Sequence, residues 1–247
     1  MKPRKYGWKP DLWDQRDKLY KAVAPTIALP EKVDLSPWCT AVEDQGPIGS
    51  CTANALSGNI EFLNNMDKVF TPEENVSRLF VYYNERAIEG SIPYDSGAAI
   101  RDGIKTLNRQ GWCDETLWPY IPNKFAVRPP FCCYIKATKN AIKEYTRLET
   151  LNDMLTCLAS GFPFVFGFTV YESFEGPQVA ATGIVNMPQI NERAVGGHAV
   201  LAVGYDQSIQ RFLIRNSWGS NWGINGNFTM PFQYLEELAD DFWTIRK

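Results

Sequence analysis

The sequence predicts an α+β fold, with helices concentrated in the first half of its 247 residues and strands in the second. Apolar residues recur at helical spacing in the first half, whereas short runs of β-branched and aromatic residues dominate after residue 164. Four prolines between residues 119 and 130 separate the two patterns. We therefore expect two lobes, a helical lobe over about 29–130 and a β lobe over about 131–247.

Composition and charge are those of a globular protein. Apolar residues make up 45% of the chain, and a chain of this length can bury a sizeable core. The net charge is −3 and no long block of like charges occurs, so we expect no nucleic-acid partner. No run approaches the roughly 18 apolar residues that span a membrane, so we expect no membrane partner either.

The N-terminal residues and the cysteines bear on the cellular compartment. No apolar run follows the basic residues near the N-terminus, so this segment does not resemble a Sec signal peptide. The six cysteines form no Cys-x-x-Cys pair and no Cys/His cluster, so we expect no structural zinc. If one of them is reactive, the other five are interpreted as small buried apolar residues of a reducing compartment. The expected location is cytoplasmic, or outside the cell after release without a Sec signal.

The first predicted elements are an arm and a helix. Residues 1–28 are polar and have no sustained period, so we predict an extended N-terminal arm, followed by a main domain that begins at Leu29. The first helix is predicted to begin at Cys51, with Ser50 as its N-cap. Its apolar positions recur at helical spacing, at Ala55, Leu56, Ile60 and Leu63.

Three more helices are predicted from capping and periodicity. The second would begin at Thr71, with Pro72 in its first turn and Glu74 completing a capping box. Its apolar positions would be Val76, Leu79, Phe80, Tyr83 and Ala87. The third covers about 97–110 and ends before Gly111, and the fourth covers about 149–160 and ends before Gly161.

The second half predicts strands. Short β-branched and aromatic runs, bounded by Gly, Asp and Asn, occur at 164–171, 198–205, 211–216 and 227–230. Residues 206–210 have the composition of a turn, so the second and third of these strands are predicted to form a hairpin.

His198 is the only histidine in the sequence, so any imidazole chemistry depends on it. Cys51 stands at the predicted start of a helix, where the helix dipole and a nearby cation favour the reactive thiolate. A cysteine nucleophile needs a base to take its proton, and the base needs a partner that orients it. Asn216 can orient the imidazole by accepting a hydrogen bond from its other nitrogen.

Acyl transfer also needs donors aimed at the developing oxyanion. Gln45 supplies a side-chain amide six residues before Cys51, and the Cys51 backbone N–H can supply a second donor. Gly46 and Gly49 allow the connecting loop to turn tightly and to approach a substrate.

Three segments carry a resemblance to a known family: Gln45-Gly-x-x-Gly-Ser-Cys51, Gly197-His198-Ala199-Val200, and Asn216-Ser-Trp218-Gly-x-x-Trp222-Gly. In this order and spacing they resemble the papain-like cysteine peptidases. The segments that begin at Leu29, Asp95 and Asp241 resemble the mature N-terminus, a substrate-binding loop and the closing strand of the family. The resemblance therefore covers about residues 29–247.

The resemblance implies a papain-like two-lobed fold, with a helical left lobe, an antiparallel β-barrel-like right lobe and the active-site cleft between them. It implies four catalytic roles: Cys51 as nucleophile, His198 as general base and then acid, Asn216 as orienter and Gln45 as oxyanion donor. Trp218 would shield the His–Asn hydrogen bond from water.

The resemblance also implies substrate contacts. Gly97 and Ala199 would line the main specificity pocket, and Ser96 and Gly197 flank them in the same segments. Asp240, placed by alignment of the closing strand, would lie near the pocket floor. A carboxylate there would favour Arg or Lys over Phe or Leu.

The sequence departs from the family at several points. Ile48 and Thr52 stand where the family commonly has a cysteine and an aromatic residue, so one framework disulfide cannot form. These departures resemble the bacterial or viral branch. The long family propeptide is absent, and we hypothesise that residues 2–28 form a short inhibitory arm with Trp8, Leu12 and Trp13 as apolar anchors. The alternative is a structural brace or a free terminus.

The sequence predicts a cysteine endopeptidase that hydrolyses peptide bonds of peptide or protein substrates through a thioester on Cys51. No metal or organic cofactor is implied. One alternative uses the same residues for another acyl transfer, such as ligation, deamidation or isopeptide cleavage. The other is a peptide-binding module of the same fold without turnover.

Overall fold

The computed structural model describes residues 4–22, 27–67 and 75–247. The helices in these ranges are α1 (Cys51–Met66), α2 (Arg78–Ile88), α3 (Ile100–Arg109), α4 (Phe131–Ala137), α5 (Leu151–Ala159), α6 (Pro177–Thr182) and α7 (Phe232–Leu238). The strands are β1 (Trp8–Lys9), β2 (Lys32–Asp34), β3 (Ala98–Ala99), β4 (Glu144–Arg147), β5 (Phe164–Tyr171), β6 (Ala194–Asp206), β7 (Arg211–Arg215), β8 (Asn227–Pro231) and β9 (Ala239–Arg246).

An antiparallel sheet organises the second half. Its strand order is β4-β9-β5-β6-β7-β8, and β2 adds to β6. In the central pair β5–β6, Phe168 lies opposite His198 and Gly167 opposite Ala199. The arm forms a separate two-stranded pair, in which β1 runs parallel to β3. The predicted α+β class is confirmed.

Two hydrophobic clusters correspond to the two lobes. The first surrounds α1, whose residues from Cys51 to Leu63 are all buried, and includes apolar faces of α2 and α3. The second is rich in phenylalanine and lies mainly among β5–β8, α5 and α7. Residues of α4 belong to the first cluster through Cys133 and Ala137. The same cluster also includes Val165, Leu201 and Trp243 of the strands, so it extends across the predicted lobe boundary.

The predicted start of α1 is confirmed, but its cap is not. Ser50 precedes the helix without a capping side-chain hydrogen bond. Its hydroxyl instead lies 2.5 Å from the Tyr120 hydroxyl and accepts from Asn54 Nδ2 over 3.1 Å. The side chain thus ties the loop before Cys51 to the helical lobe.

The second helix begins later than predicted. Ser77 caps α2 by accepting from the Phe80 N–H, and Val76 lies in a β-bridge with Asp114 rather than in a helix. The predicted capping box at 71–74 lies outside the described residues. The residue types at Thr71 favour a helix N-terminus there, whereas the apolar face by which α2 packs into the core begins at Leu79.

The remaining predicted elements are found with shifted ends. Helix α3 begins at Ile100 rather than near 97, because Gly97 has a left-handed φ of 69°. Helix α5 is capped by Thr150, which forms a capping box with Asp153. The predicted strands correspond to β5–β8, although β6 begins at Ala194, earlier than expected.

All six cysteines are free. Of the five cysteines predicted to be buried, Cys113, Cys133 and Cys157 are buried, whereas Cys39 is partly exposed and Cys132 is exposed; Cys51 is buried as well. Among the described residues, no helix is long and apolar enough to cross a membrane. No group of three or more His, Cys, Asp and Glu in those same ranges is placed to hold a metal ion.

Candidate active site

Cys51 and His198 meet where α1 packs along β6. Cys51 is the first residue of α1, and His198 lies within β6. The backbone N–H of Ala199, the residue after His198, is hydrogen-bonded to the Cys51 thiol. Both side chains are fully buried. The structure therefore brings the predicted nucleophile beside the predicted base.

Asn216 fixes the tautomer of the imidazole. His198 Nε2 lies 2.8 Å from Asn216 Oδ1, which also accepts the Ser217 backbone N–H over 2.8 Å. Because this oxygen already accepts, Nε2 must donate, and the unprotonated nitrogen is Nδ1. Nδ1 is buried and has no hydrogen-bond partner among the described residues. It is the nitrogen that can take a proton.

An aromatic shell encloses the histidine. The Trp218 ring stacks on His198 with centroids 5.2 Å apart and an interplanar angle of 29°. Phe168 and Phe174 lie 5.8 Å and 6.4 Å from the imidazole, and Tyr6 of the arm approaches at 6.0 Å. Trp218 occupies the predicted shielding position. The low polarity of this shell strengthens the His–Asn hydrogen bond.

Gln45 is held at both its backbone and its side chain. Its N–H donates to Ser217 O over 2.9 Å, its carbonyl accepts from the Tyr120 hydroxyl, and its Oε1 accepts from Ser217 Oγ over 2.7 Å. Its Nε2 therefore faces away from Ser217 and donates to Ile48 O and to Lys5 O. Sequence reasoning missed Ser217, although it lies inside the Asn-Ser-Trp-Gly segment.

Burial keeps the thiol and the imidazole neutral in this state. It raises the pKa of Cys51 to about 11, although backbone N–H groups of Ala199 and Gly7 act in the opposite direction. Burial likewise lowers the pKa of His198 to about 4, against the effect of its hydrogen bond to Asn216. The arm contributes to this burial, because Gly7 contacts the thiol and Tyr6 packs near the imidazole.

The arm passes directly over the nucleophile. Gly7 is hydrogen-bonded through its backbone N–H to the Cys51 thiol, and its carbonyl accepts from the Ala98 N–H over 2.8 Å. A Cβ at Gly97 would overlap the Gly7 carbonyl, so two glycines permit this close approach. The sequence-predicted residue Gly97 thus contacts a peptide backbone, but that of the arm.

Trp8 fills a pocket lined by glycine. A Cβ at Gly167 would overlap the indole, and one at Gly197 would lie 2.7 Å from it. The indole Nε1 donates to Asp241 Oδ2 over 3.1 Å. The Asp241 side chain is only 1% exposed. Burial, and to a smaller extent the nearby Asp11 carboxylate, raise the pKa of Asp241 to about 7.

Asp240 does not lie at the floor of that pocket. Its side chain is 62% exposed and pairs with Arg147 over 3.0 Å. The neighbouring Asp241 takes the pocket position: it has a left-handed φ of 57° where the pairing of β5 with β9 shifts register, and its carboxylate also pairs with Arg147 over 3.2 Å. The Ser96 hydroxyl bonds Ser91 Oγ and Gly97 O, within its own loop.

The arm is anchored differently from the prediction. Trp8 is a partly buried anchor packed against the first hydrophobic cluster, whereas Leu12 and Trp13 are 85% and 82% exposed. Between them, Asp11 holds the arm by accepting from Trp243 Nε1 over 2.8 Å and donating its N–H to Asp241. Polar contacts therefore replace the expected apolar ones at this point.

A buried polar pair lies beneath the nucleophile. Thr52 Oγ1 donates to Glu85 Oε1 over 2.7 Å, and Glu85 Oε2 is buried with no partner among the described residues. Burial raises the pKa of Glu85 to about 8. The sequence signal for this pair was Thr52, which stands where an aromatic residue was expected.

A sequence model of the papain family cysteine proteases matches residues 29–235. The chain belongs to the papain family of cysteine proteases. This papain-family chain is also 47% identical over 230 residues to an uncharacterised peptidase C1-like protein of Acanthamoeba polyphaga mimivirus, covering 87% of this chain and 73% of the relative. It is 27% identical over 196 residues to pro-cathepsin H of Mus musculus, and there covers 55% of the relative.

Solved structures support the same family fold. Xylellain, a cysteine protease from Xylella fastidiosa, superposes with a TM-score of 0.90 at 47% identity, covering 100% of this chain and 98% of that one. A digestive procathepsin L 3 of Tenebrio molitor superposes with a TM-score of 0.72 at 18% identity, which shows the fold alone. The papain-like fold is confirmed, and the viral and bacterial relatives agree with the predicted branch.

Proposed function

We propose that this papain-family protein is a cysteine endopeptidase that hydrolyses peptide bonds through a thioester on Cys51. The observation that carries the proposal is the position of His198: its Nε2 is fixed by Asn216, its Nδ1 is left without a partner among the described residues, and its neighbour Ala199 donates its N–H to the Cys51 thiol. Gln45 supports it with an amide already aimed at a peptide carbonyl, that of Lys5.

In the first half-reaction, Nδ1 of His198 takes the thiol proton and the Cys51 sulfur attacks the scissile carbonyl carbon. Gln45 Nε2 and the Cys51 backbone N–H donate to the oxyanion. Nδ1 then returns the proton to the departing amine, and the C–N bond breaks to leave the thioester. In the second half-reaction, Nδ1 takes a proton from water as its oxygen attacks the thioester carbon. The C–S bond breaks, the acid product leaves, and the Cys51 sulfur takes the proton back from Nδ1.

We propose cleavage within the substrate chain rather than at its C-terminus, because no candidate side chain for holding a terminal carboxylate is found in the sequence. A second histidine that could hold a substrate's terminal carboxylate does not occur in the sequence. Water as the acyl acceptor is the simplest reaction of the site. Product masses separate hydrolysis, which adds water across the bond, from ligation to an added amine.

The arm is proposed to act as an intramolecular inhibitor. Gly7 donates its N–H to the sulfur and its carbonyl accepts from the Ala98 N–H, so the Cys51 thiol is engaged by an amide hydrogen of the arm. Tyr6 covers His198 and Trp8 fills the pocket beside Ala199. A substrate must therefore displace this segment before it can react.

Covalent labelling tests both parts. An epoxysuccinyl warhead is added to the full chain, to a Trp8→Ala variant and to Cys51→Ala, and intact masses are followed. We expect one adduct on Cys51, formed much faster in Trp8→Ala, and none in Cys51→Ala. Labelling at equal rates in the first two would overturn the inhibitory arm. A folded, labelled protein that cleaves no peptide would overturn the peptidase.

A further inference from the structure

Three basic side chains near the start of the arm pair with acidic side chains of residues 29–247. The ion pairs are Arg4–Asp44 at 2.6 Å, Lys5–Asp95 at 2.6 Å and Lys9–Glu89 at 2.7 Å. Two further acids accept uncharged donors of the arm: Glu175 from the Tyr6 hydroxyl, and Asp241 from the Trp8 indole. Five acids thus follow the path of the docked segment.

Two of these acids, Asp95 and Glu89, are also held by donors of the main domain. Asp95 accepts from the Gly49 N–H over 3.0 Å and from the Tyr82 hydroxyl. Glu89 accepts from the Ala99 N–H over 2.8 Å. The Asp95 and Glu89 side chains are only 11% and 13% exposed, so loss of their cationic partners leaves poorly hydrated charges.

The net charges of the two parts of the chain are also opposite: the N-terminal residues are basic and the rest of the chain is acidic. The net charge is −3, and residues 1–22 hold seven basic and three acidic side chains, so residues 23–247 carry −7. Any peptide that replaces the arm meets the same acids, because they belong to the main domain. We expect a cationic substrate side chain to bind most tightly at Asp95. This acid accepts the Gly49 N–H, and Gly49 lies two residues before Cys51, so Asp95 is close to the nucleophile along the loop.

We propose that the cleft selects lysine- and arginine-rich peptides, whose cations replace Lys5 and Lys9 of the arm at Asp95 and Glu89, while Asp241 accepts from a donor-bearing side chain in the Trp8 pocket. This inference rests on the proposed peptidase function and names its substrate class. Asp44 contributes less, because its side chain is 53% exposed and its ion pair is screened by water.

The test uses the full chain with Lys5→Ala and Trp8→Ala, which removes the arm contacts on either side of Gly7. Two peptides are compared, identical except that lysines are replaced by norleucine, which keeps the stem but not the charge. We expect kcat/KM to be about tenfold higher for the lysine peptide, which corresponds to about 1.4 kcal/mol. Raising salt from about 0.05 M to 0.5 M reduces the ratio.

Three variants assign the effect to particular acids. The full chain with Lys5→Ala and Trp8→Ala is called the opened chain. Asp95→Asn and Glu89→Gln, each added to the opened chain, should lower the ratio of kcat/KM for the lysine peptide to that for the norleucine peptide, with the larger loss at Asp95. Glu237→Gln is the matched control, because this exposed acid of α7 bonds only Gln233 in the described structure. An equal rate for both peptides, or a preference that survives both acid variants, would overturn the inference while leaving the peptidase intact.

A binding measurement tests this inference independently of the proposed peptidase function. The same peptides are titrated into the opened chain that also carries Cys51→Ala, and Kd is measured without turnover. Tighter binding of the lysine peptide, lost in Asp95→Asn, supports the charge selection even if no peptide is cleaved. Equal Kd values overturn it whatever the enzyme does.

Discussion

The hydroxyl of Ser217 donates to Gln45 Oε1 over 2.7 Å. This bond joins the loop after β7 to the loop before α1, so it connects the two lobes at the candidate oxyanion site. It also decides which end of the Gln45 amide faces the cleft, because an oxygen held by a donor leaves the NH₂ group on the other side.

Ser217→Ala should reduce kcat by about tenfold, because the Gln45 amide loses the bond that orients its donor. KM should change little, since Ser217 itself is buried behind the cleft. Kinetics on the opened chain measure both constants. Gln45→Ala should cost about 10² in kcat, and Ser217→Ala added to it should cost no more. Additive losses in the double variant would contradict the positioning role.

Gly167→Ala should displace the arm. A Cβ at this position overlaps the Trp8 indole, and the central strand β5 cannot move to relieve the overlap. We expect faster labelling of Cys51 by a small alkylating reagent than in the unmodified chain. In a Trp8→Ala background the same substitution should add nothing. Faster labelling in that background as well would place the effect in the pocket rather than in the arm.

The pH profile of Cys51 alkylation should change when the arm is displaced. In the docked state the thiol has a pKa of about 11 and the imidazole one of about 4, both through burial. Water entry stabilises the charged forms, which lowers the pKa of the thiol and raises that of the imidazole. The alkylation rate follows the thiolate fraction. It should therefore rise only at alkaline pH in the full chain, and already near neutral pH with Trp8→Ala.

Glu85→Gln should make stability less dependent on pH. Burial raises the Glu85 pKa from 4.5 to about 8; Glu89 and Asp102 add to the shift, and the Thr52 hydroxyl and Arg86 oppose it. The unfolded chain therefore binds fewer protons between these values, so the free energy of unfolding falls as pH rises from about 4.5 to 8. The variant lacks this contribution, so it should gain stability relative to the parent across that interval.

Denaturant unfolding at several pH values measures this difference. Glu144→Gln, at an exposed position of β4, serves as the control and should follow the parent. Parallel curves for the parent and Glu85→Gln would show that Glu85 is already ionised in the folded protein.

Sequence reasoning located the helices and strands wherever local periodicity and tertiary packing agreed. The start of α1 at Cys51 and the strand β5 illustrate this, because each is followed by a run of residues that the core buries. The start of α2 could not be predicted, because a good local cap at Thr71 competed with the packing of Leu79 and Phe80. Asp240 and Asp241 could not be distinguished, because the irregular pairing of β5 with β9 and the left-handed backbone at Asp241 leave no signal in the residue types.

The sequence by itself determined the family, the order of the chemical groups and the uniqueness of His198, because these depend on residue types and their spacing. Only the tertiary structure decided that Nδ1 is the unprotonated nitrogen of His198, that Ser217 orients Gln45 and that Trp8 rather than Trp13 fills the pocket. These relationships join segments far apart in the chain. They follow from the packing of α1 against β6 and from the close approach that Gly97, Gly167 and Gly197 allow the arm.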